Sequence, residues 1–192
     1  MKKIILASQS PRRREILESI GIDFDVIVDN TPEYIDENMS PKDIVCSLAK
    51  FKGDNVSANL DCNGIVIAAD TVVTADGRIL GKPSDEKAAE QMLTFLSGRA
   101  HEVYTGVYIK DIKSGKSSIF SEKTDVFFRN LDMEEIKGYI KTGEPMDKAG
   151  AYGIQGMGSL FVEKICGDYF NVVGRPVCKL AQKLKQDFDI QL

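Results

Sequence analysis

The chain has 192 residues, 43% of them hydrophobic, with 25 basic and 29 acidic side chains and a net charge of −4. That length buries a full core without staples, so one domain over residues 1–192 is the expectation. The charge balance argues against a general nucleic-acid or membrane-surface binder, and any anionic ligand must be met by a local basic cluster. The first apolar run, Ile4 to Ala7, reads as a strand. Charge arrives at Arg12, too early for the apolar region of a signal peptide, and no stretch approaches a membrane span.

Ser8-Gln9-Ser10 then turns the chain into a helix, with Ser10 as N-cap and Pro11 in the first helical position. Arg12, Arg13 and Arg14 follow. Cations in a first turn oppose the helix dipole by about 0.3 to 1 kcal/mol each, so three of them make sense where an anion occupies the helix start. Backbone N–H groups and guanidiniums there suit a phosphate, and at 3.6 residues per turn at most two of the three side chains reach one ligand. Phe24 to Val28 reads as a second strand, and the Asn30-Thr31-Pro32 turn delivers Glu33. Ser40-Pro41 opens a helix that buries Ile44, Val45, Leu48, Ala49 and Val56, ends near 57–59, and carries Lys50 and Lys52.

Ile65-Val66-Ile67-Ala68-Ala69 is the pattern of a strand buried on both faces. Asp70 ends that run. A carboxylate beside a core is costly unless a cation, metal or hydrogen-bond donor compensates it, which makes Asp70 the first residue to suspect of chemistry. Asp76-Gly77 signals a hairpin pairing Thr71–Thr74 with Arg78–Leu80, and the return strand ends in Gly81-Lys82-Pro83, which can aim Lys82 back toward the Asp70 arm. A helix capped by Ser84-Asp85-Glu86 runs to about Ser97, with Gly98 as its terminator. The sole histidine, His101, lies just past it, where a surface or hydrogen-bonding role is expected; one histidine leaves carboxylates, and hence Mg²⁺ or Mn²⁺, for any metal chemistry.

Residues 102–110 and 118–128 alternate as a hairpin around Ser114-Gly115, and Asp132 with Glu135 forms a capping box for a helix ending near Thr142-Gly143. Residues 144–158 are rich in glycine and carry Gln155, yet do not form the strand–G-x-G-x-x-G–helix unit of a dinucleotide-binding fold. Leu160 to Ile165 reads as a strand, 168–174 as a turn-rich link, and Pro176 opens a last helix with Val177, Leu180, Ala181 and Leu184 inward. Four scattered cysteines (Cys46, Cys62, Cys166, Cys178) fit reduced thiols and a cytoplasmic protein. Together the residues indicate a Mg²⁺-dependent nucleotide-binding or phosphate-cleaving α/β protein.

Leu6-Ala7-Ser8-Gln9-Ser10-Pro11-Arg12-Arg13, Ala69-Asp70-Thr71-Val72-Val73, Gly81-Lys82-Pro83, Leu96-Ser97-Gly98 with His101 and Thr105-Gly106-Val107, and the run from Asp147 to Gly156 resemble the Maf family of nucleoside triphosphate pyrophosphatases over nearly the whole chain. The resemblance implies an α/β fold of the Maf/Ham1 (ITPase-like) type. Its mixed, twisted sheet is flanked by helices, with two lobes about a central cleft, often as a homodimer. It implies conversion of a nucleoside triphosphate and water to the monophosphate and pyrophosphate. Asp70 would accept the proton of the attacking water, and Glu33 and Asp70 would contact Mg²⁺ or Mn²⁺. Arg12, Arg13, Lys52 and Lys82 would hold the triphosphate, with Ser8 beside them.

Arg13, Thr71 and Gln155 match the positions that set base choice in the dTTP/UTP branch. The resemblance leaves two other readings open: an enzyme preferring 7-methyl-GTP or CTP, and a nucleotide-binding regulator of septum formation without turnover. This sequence departs from the family pattern twice. Gly53 replaces an Ala after Lys52, which would loosen a helix end, and Arg175 replaces a Leu before Pro176, which would either alter the packing of the last helix or add a cation near the cleft.

Overall fold

The computed structural model describes residues 2–32 and 39–191. Its strands are β1 (Lys3–Ala7), β2 (Phe24–Val26), β3 (Gly64–Ala75), β4 (Arg78–Leu80), β5 (Ala100–Asp111), β6 (Ser117–Phe128) and β7 (Val162–Cys166). The helices are α1 (Pro11–Ser19), α2 (Pro41–Ala58), α3 (Glu86–Leu96), α4 (Met133–Ile140), α5 (Tyr169–Val173) and α6 (Val177–Phe188). The seven strands form one sheet in the order β2-β1-β3-β5-β6-β7, with β4 paired to β3 off that path. β1 is parallel to both β2 and β3, while β3/β4 and β6/β7 are antiparallel, so the sheet is mixed. No described helix is long and apolar enough to cross a membrane.

The chain divides into two compact units: one from residues 1–70, 105–122 and 174–192, the other from 71–104 and 123–173. In the first unit the period-2 alternation of β1 and β3 splits their apolar residues between two layers. Ile4 and Leu6 with Ile65, Ile67 and Ala69 face α1 and α6, where Leu17, Leu180, Leu184 and Phe188 complete the core. Ile5 and Ala7 with Val66 and Ala68 face the other way, against Val56 of α2. Helices on both faces explain why the β3 run is uninterrupted by polar residues until Asp70.

In the second unit Val73 and Ala75 of β3 pack with Leu93 and Leu96 of α3, Val126 and Phe128 of β6, and Ile136, Tyr139 and Ile140 of α4. The capping box on α4 forms as its sequence requires: Asp132 accepts from the Glu134 and Glu135 N–H groups and Glu135 reaches back to Asp132 N–H.

Several expectations are corrected. The expected hairpin forms, β3 running on through the β-branched Thr71-Val72-Val73-Thr74 to pair antiparallel with β4, but other boundaries differ. β7 begins at Val162 rather than Leu160, because 156–161 coil into a 3₁₀ turn, and the expected link at 168–174 contains α5. Of the two roles expected for His101 it takes the hydrogen-bonding one, not the surface one: it sits inside β5, 2% exposed, against the Tyr152 hydroxyl. Gly53 lies in the interior of α2, not at its end, and a Cβ there would collide with the Tyr108 ring, so the departure from Ala serves packing.

Candidate active site

In the first unit the geometry grows from the end of β1. Ser8 is buried, and its Oγ accepts the Ser10 N–H at 3.2 Å, tightening the turn into α1. Ser10 holds the N-cap position, but its own hydroxyl makes no capping bond. Arg12 and Arg13 are half-buried on the first turn and Arg14 is exposed. The Arg13 guanidinium folds back across the sheet. Its Nη1 donates to the Ala69 carbonyl at 2.8 Å and to Ser8 Oγ at 3.4 Å, and its Nε donates to the Gly174 carbonyl at 3.0 Å. Gly174 has φ +115°, a conformation that favours glycine and turns this carbonyl toward Arg13.

Ala69 precedes Asp70, so Arg13 is pinned to the peptide that leads into the candidate carboxylate. By the alternation of β3, Asp70 follows Val66 and Ala68 onto the α2 face, and there Lys52 of α2 forms an ion pair with Asp70 Oδ1. Nothing in the local sequence pairs these two residues; the strand register and one helix face bring them together. Glu33 lies outside the described residues.

Arg175 sits next to Gly174. It is fully buried, and its Nε, Nη1 and Nη2 have no hydrogen-bond partner among the described residues. Burial, and then the neighbouring Arg13 charge, push its guanidinium down to about 9. The departure thus places a buried cation one residue from the carbonyl that holds Arg13.

In the second unit Thr71 is half-buried on β3, Lys82 is exposed just after β4, and Gln155 is half-buried in the glycine-rich segment. That segment is made of short 3₁₀ turns at Glu144–Asp147, Ala149–Ala151 and Gly156–Phe161. The Gly150 N–H donates to the Gly81 carbonyl at 3.1 Å, so the loop holding Gln155 and the strand end holding Lys82 are tied to each other. Glu144 anchors the rest. Its Oε1 accepts from the Tyr139 hydroxyl at 2.9 Å, its Oε2 from the Met157 N–H at 3.3 Å, and Tyr139 in turn accepts the Gly153 N–H at 3.2 Å. A Cβ on Gly158 would collide with the Gly153 carbonyl, so this glycine serves the loop's own folding. Sequence reading missed Glu144; the signal was a carboxylate placed directly before the proline that opens the loop.

His101 belongs to the support of this loop. Its Nε2 meets the Tyr152 hydroxyl at 2.7 Å, and its ring stands edge-on to Phe128 and Tyr152 with centroids 4.9 and 5.3 Å away. Burial pushes its pKa down to about 4, so it is a neutral strut at neutral pH.

Fold and geometry together define an α/β protein with a mixed sheet whose helix-borne cations gather where β1 ends and around one carboxylate of β3. The chain belongs to the family of Maf-like proteins, whose family model matches residues 3–187. It is 54% identical over 186 residues to a Bacillus cereus (strain ATCC 10987 / NRS 248) protein named dTTP/UTP pyrophosphatase, covering 97% of this chain and 90% of that one. It is 48% identical over 192 residues to a protein of the same name from Alkaliphilus metalliredigens, covering both chains completely. Among solved structures, the Ham1 protein of Staphylococcus aureus overlaps 66% of this chain and 72% of its own with a TM-score of 0.45 and 19% identity, too distant to carry an argument.

Proposed function

We propose that this protein is a nucleoside triphosphate pyrophosphatase that hydrolyses dTTP and UTP, and modified pyrimidine nucleotides of the same kind, to the monophosphate and pyrophosphate. The observation that carries this reading is identity of about half the residues over the full chain to relatives bearing the name dTTP/UTP pyrophosphatase. In the reaction a water oxygen bonds to the α-phosphorus and the bond to the pyrophosphate oxygen breaks. The water's proton passes to Asp70. A base works only when oriented, and Lys52 supplies that orientation by holding Oδ1 of the same carboxylate. Charge building on the leaving pyrophosphate calls for fixed cations, a role we assign to Arg12, Arg13, Lys52 and Lys82 with the buried Ser8 beside Arg13. Thr71 and Gln155, with Arg13, are assigned to base choice. Gln155 offers one acceptor and two donors to a pyrimidine edge.

A divalent ion fits the donors present. Asp70 is a hard oxygen ligand, and no group of three or more His, Cys, Asp or Glu that could cage an ion exists among the described residues. Mg²⁺ is commonly bound through one or two carboxylates plus the substrate's own phosphates, which such a donor set suits. Asp70, with Glu33, would hold Mg²⁺ or Mn²⁺, and the ion would supply Lewis-acid stabilisation of charge on phosphoryl oxygens. Free thiols at all four cysteines support a cytoplasmic setting, and we expect a homodimer in solution, which light scattering during size-exclusion chromatography checks.

The test is pyrophosphate release from a panel of canonical and modified triphosphates with Mg²⁺ or Mn²⁺, with Asp70→Asn in parallel. Release from dTTP and UTP that falls by about 10² to 10⁴ in the variant is the expected result. Release led by 7-methyl-GTP or CTP would overturn the substrate choice, and tight nucleotide binding without release would make the protein a nucleotide-responsive regulator.

A further inference from the structure

Arg175 is the one large cation of the first unit that is completely buried, and every guanidinium nitrogen lacks a hydrogen-bond partner among the described residues. A buried arginine normally brings a carboxylate or several carbonyls with it, since an uncompensated charge in a core is strongly unfavourable. Here the neighbouring group is another cation. Arg13, whose Nε bonds to the carbonyl of Gly174, lies close enough for its charge to disfavour the protonated form of Arg175. Arg13 in turn stands on the first turn of α1, a nine-residue helix entered through Ser8 and Pro11. The Arg175 guanidinium thus lies beside that of Arg13 near the start of α1, and none of its own nitrogens meets an acceptor among the described residues. A phosphoryl oxyanion is the complement of such a group in charge and in hydrogen-bonding.

We propose that Arg175 is a second guanidinium of an anion site at the start of α1, charging that site from beside Arg13 so that a phosphoryl group takes the place of the missing counter-ion. The proposal rests on the pyrophosphatase reading only for the source of that group, the nucleotide's phosphate chain. Because Arg175 is covered, it acts on the anion through its charge and through Arg13, as a positioning residue. It also explains why an otherwise unfavourable residue sits before Pro176: the cost is carried by the ligand-free protein and removed when the anion binds.

The experiment uses the full chain and inorganic pyrophosphate, with dTMP as a second probe, following binding by calorimetry and thermal unfolding. Arg175→Met keeps length and bulk but removes the charge. It should raise the melting temperature of the ligand-free protein and weaken pyrophosphate binding by about tenfold. Arg175→Lys, which keeps the charge, should retain most of the affinity. A residue that merely packs α6 would give the opposite pattern, lower stability and unchanged anion binding, and that result overturns the proposal. Loss for pyrophosphate alone assigns the site to the leaving group; loss for dTMP assigns it to the phosphate retained by the nucleotide.

Should Arg175→Met fail to fold, the wild-type Arg175 Nε–Hε resonance, identified by its disappearance in Arg175→Lys, provides the reading. It must move on addition of pyrophosphate, and a stationary signal refutes the site. Turnover measured alongside separates the two ideas. A wild type that hydrolyses dTTP while Arg175→Met binds pyrophosphate normally sinks this inference alone. A wild type without turnover whose pyrophosphate binding depends on Arg175 sinks the pyrophosphatase reading alone.

Discussion

In the first unit Arg175 is buried with no partner on its three guanidinium nitrogens among the described residues, whereas in the second His101, 2% exposed, gives Nε2 to the Tyr152 hydroxyl at 2.7 Å. The difference follows from the chemistry of the two side chains. Imidazole sheds its proton near neutrality, so burial turns it into a neutral group that one hydroxyl satisfies on one side, even though Nδ1 has no partner among the described residues. Guanidinium holds its proton far more tightly, and burying it leaves a charge that asks for an anion. The first unit therefore concentrates charge (Arg13, Arg175 and the Lys52–Asp70 pair), while the second supports the Gln155 loop on the neutral groups Tyr139, Tyr152 and His101, with Glu144 and Lys148 as charged anchors.

The largest effect is expected at Lys52, in the charged unit. Lys52→Met leaves Asp70 without the cation that orients it, and turnover should fall by about 10² to 10³, carried by kcat. Steady-state kinetics on dTTP decide the matter: a normal kcat would show that the ion pair is only structural. On the neutral side, His101 ties stability to pH. Its folded pKa of about 4 lies below the ordinary 6.5, so the unfolded chain takes up the proton first as pH falls. The stability contribution is whole above about pH 6.5 and drains away toward pH 4, by about 3 kcal/mol in total. Urea unfolding at pH 7 and 4.5 should show His101→Gln losing less stability on acidification than the wild type. Equal losses would mean that His101 is not a buried neutral group.

The smallest effect is expected in the loop. Tyr139→Phe removes the hydroxyl shared by Glu144 and the Gly153 N–H and should cost about 1 to 2 kcal/mol. Amide exchange should accelerate at Gly153, and discrimination between dTTP and other triphosphates should weaken while the maximal rate holds. Unchanged exchange would show that the loop keeps its shape without this hydroxyl.

Much of this was legible because it is written in short-range physics. The two-faced strand Ile65–Ala69, the Asp76-Gly77 hairpin, the capping box at Asp132 and Glu135, and Pro11 and Pro41 opening helices all rest on neighbours within a few residues. Where local signals competed, the reading slipped. The apolar residues from Leu160 suggested a strand start although 156–161 coil first, and the glycines at 150–158 hid a set of 3₁₀ turns.

By itself, then, the sequence determined the order of elements, the apolar faces and the residues able to do phosphate chemistry, because periodicity, capping and side-chain chemistry act over single turns and strands. Only the tertiary structure decided which of those residues meet. Lys52 reaches Asp70 because an α2 face lies against the even-numbered side of β3, and Arg13 grips the Ala69 and Gly174 carbonyls from 56 and 161 positions away. The burial of Arg175 is of the same kind. Nothing local to Gly174-Arg175-Pro176 says that its charge is enclosed or that Arg13 is its neighbour; both exist only in the folded chain, and with enclosure comes the demand for an anion.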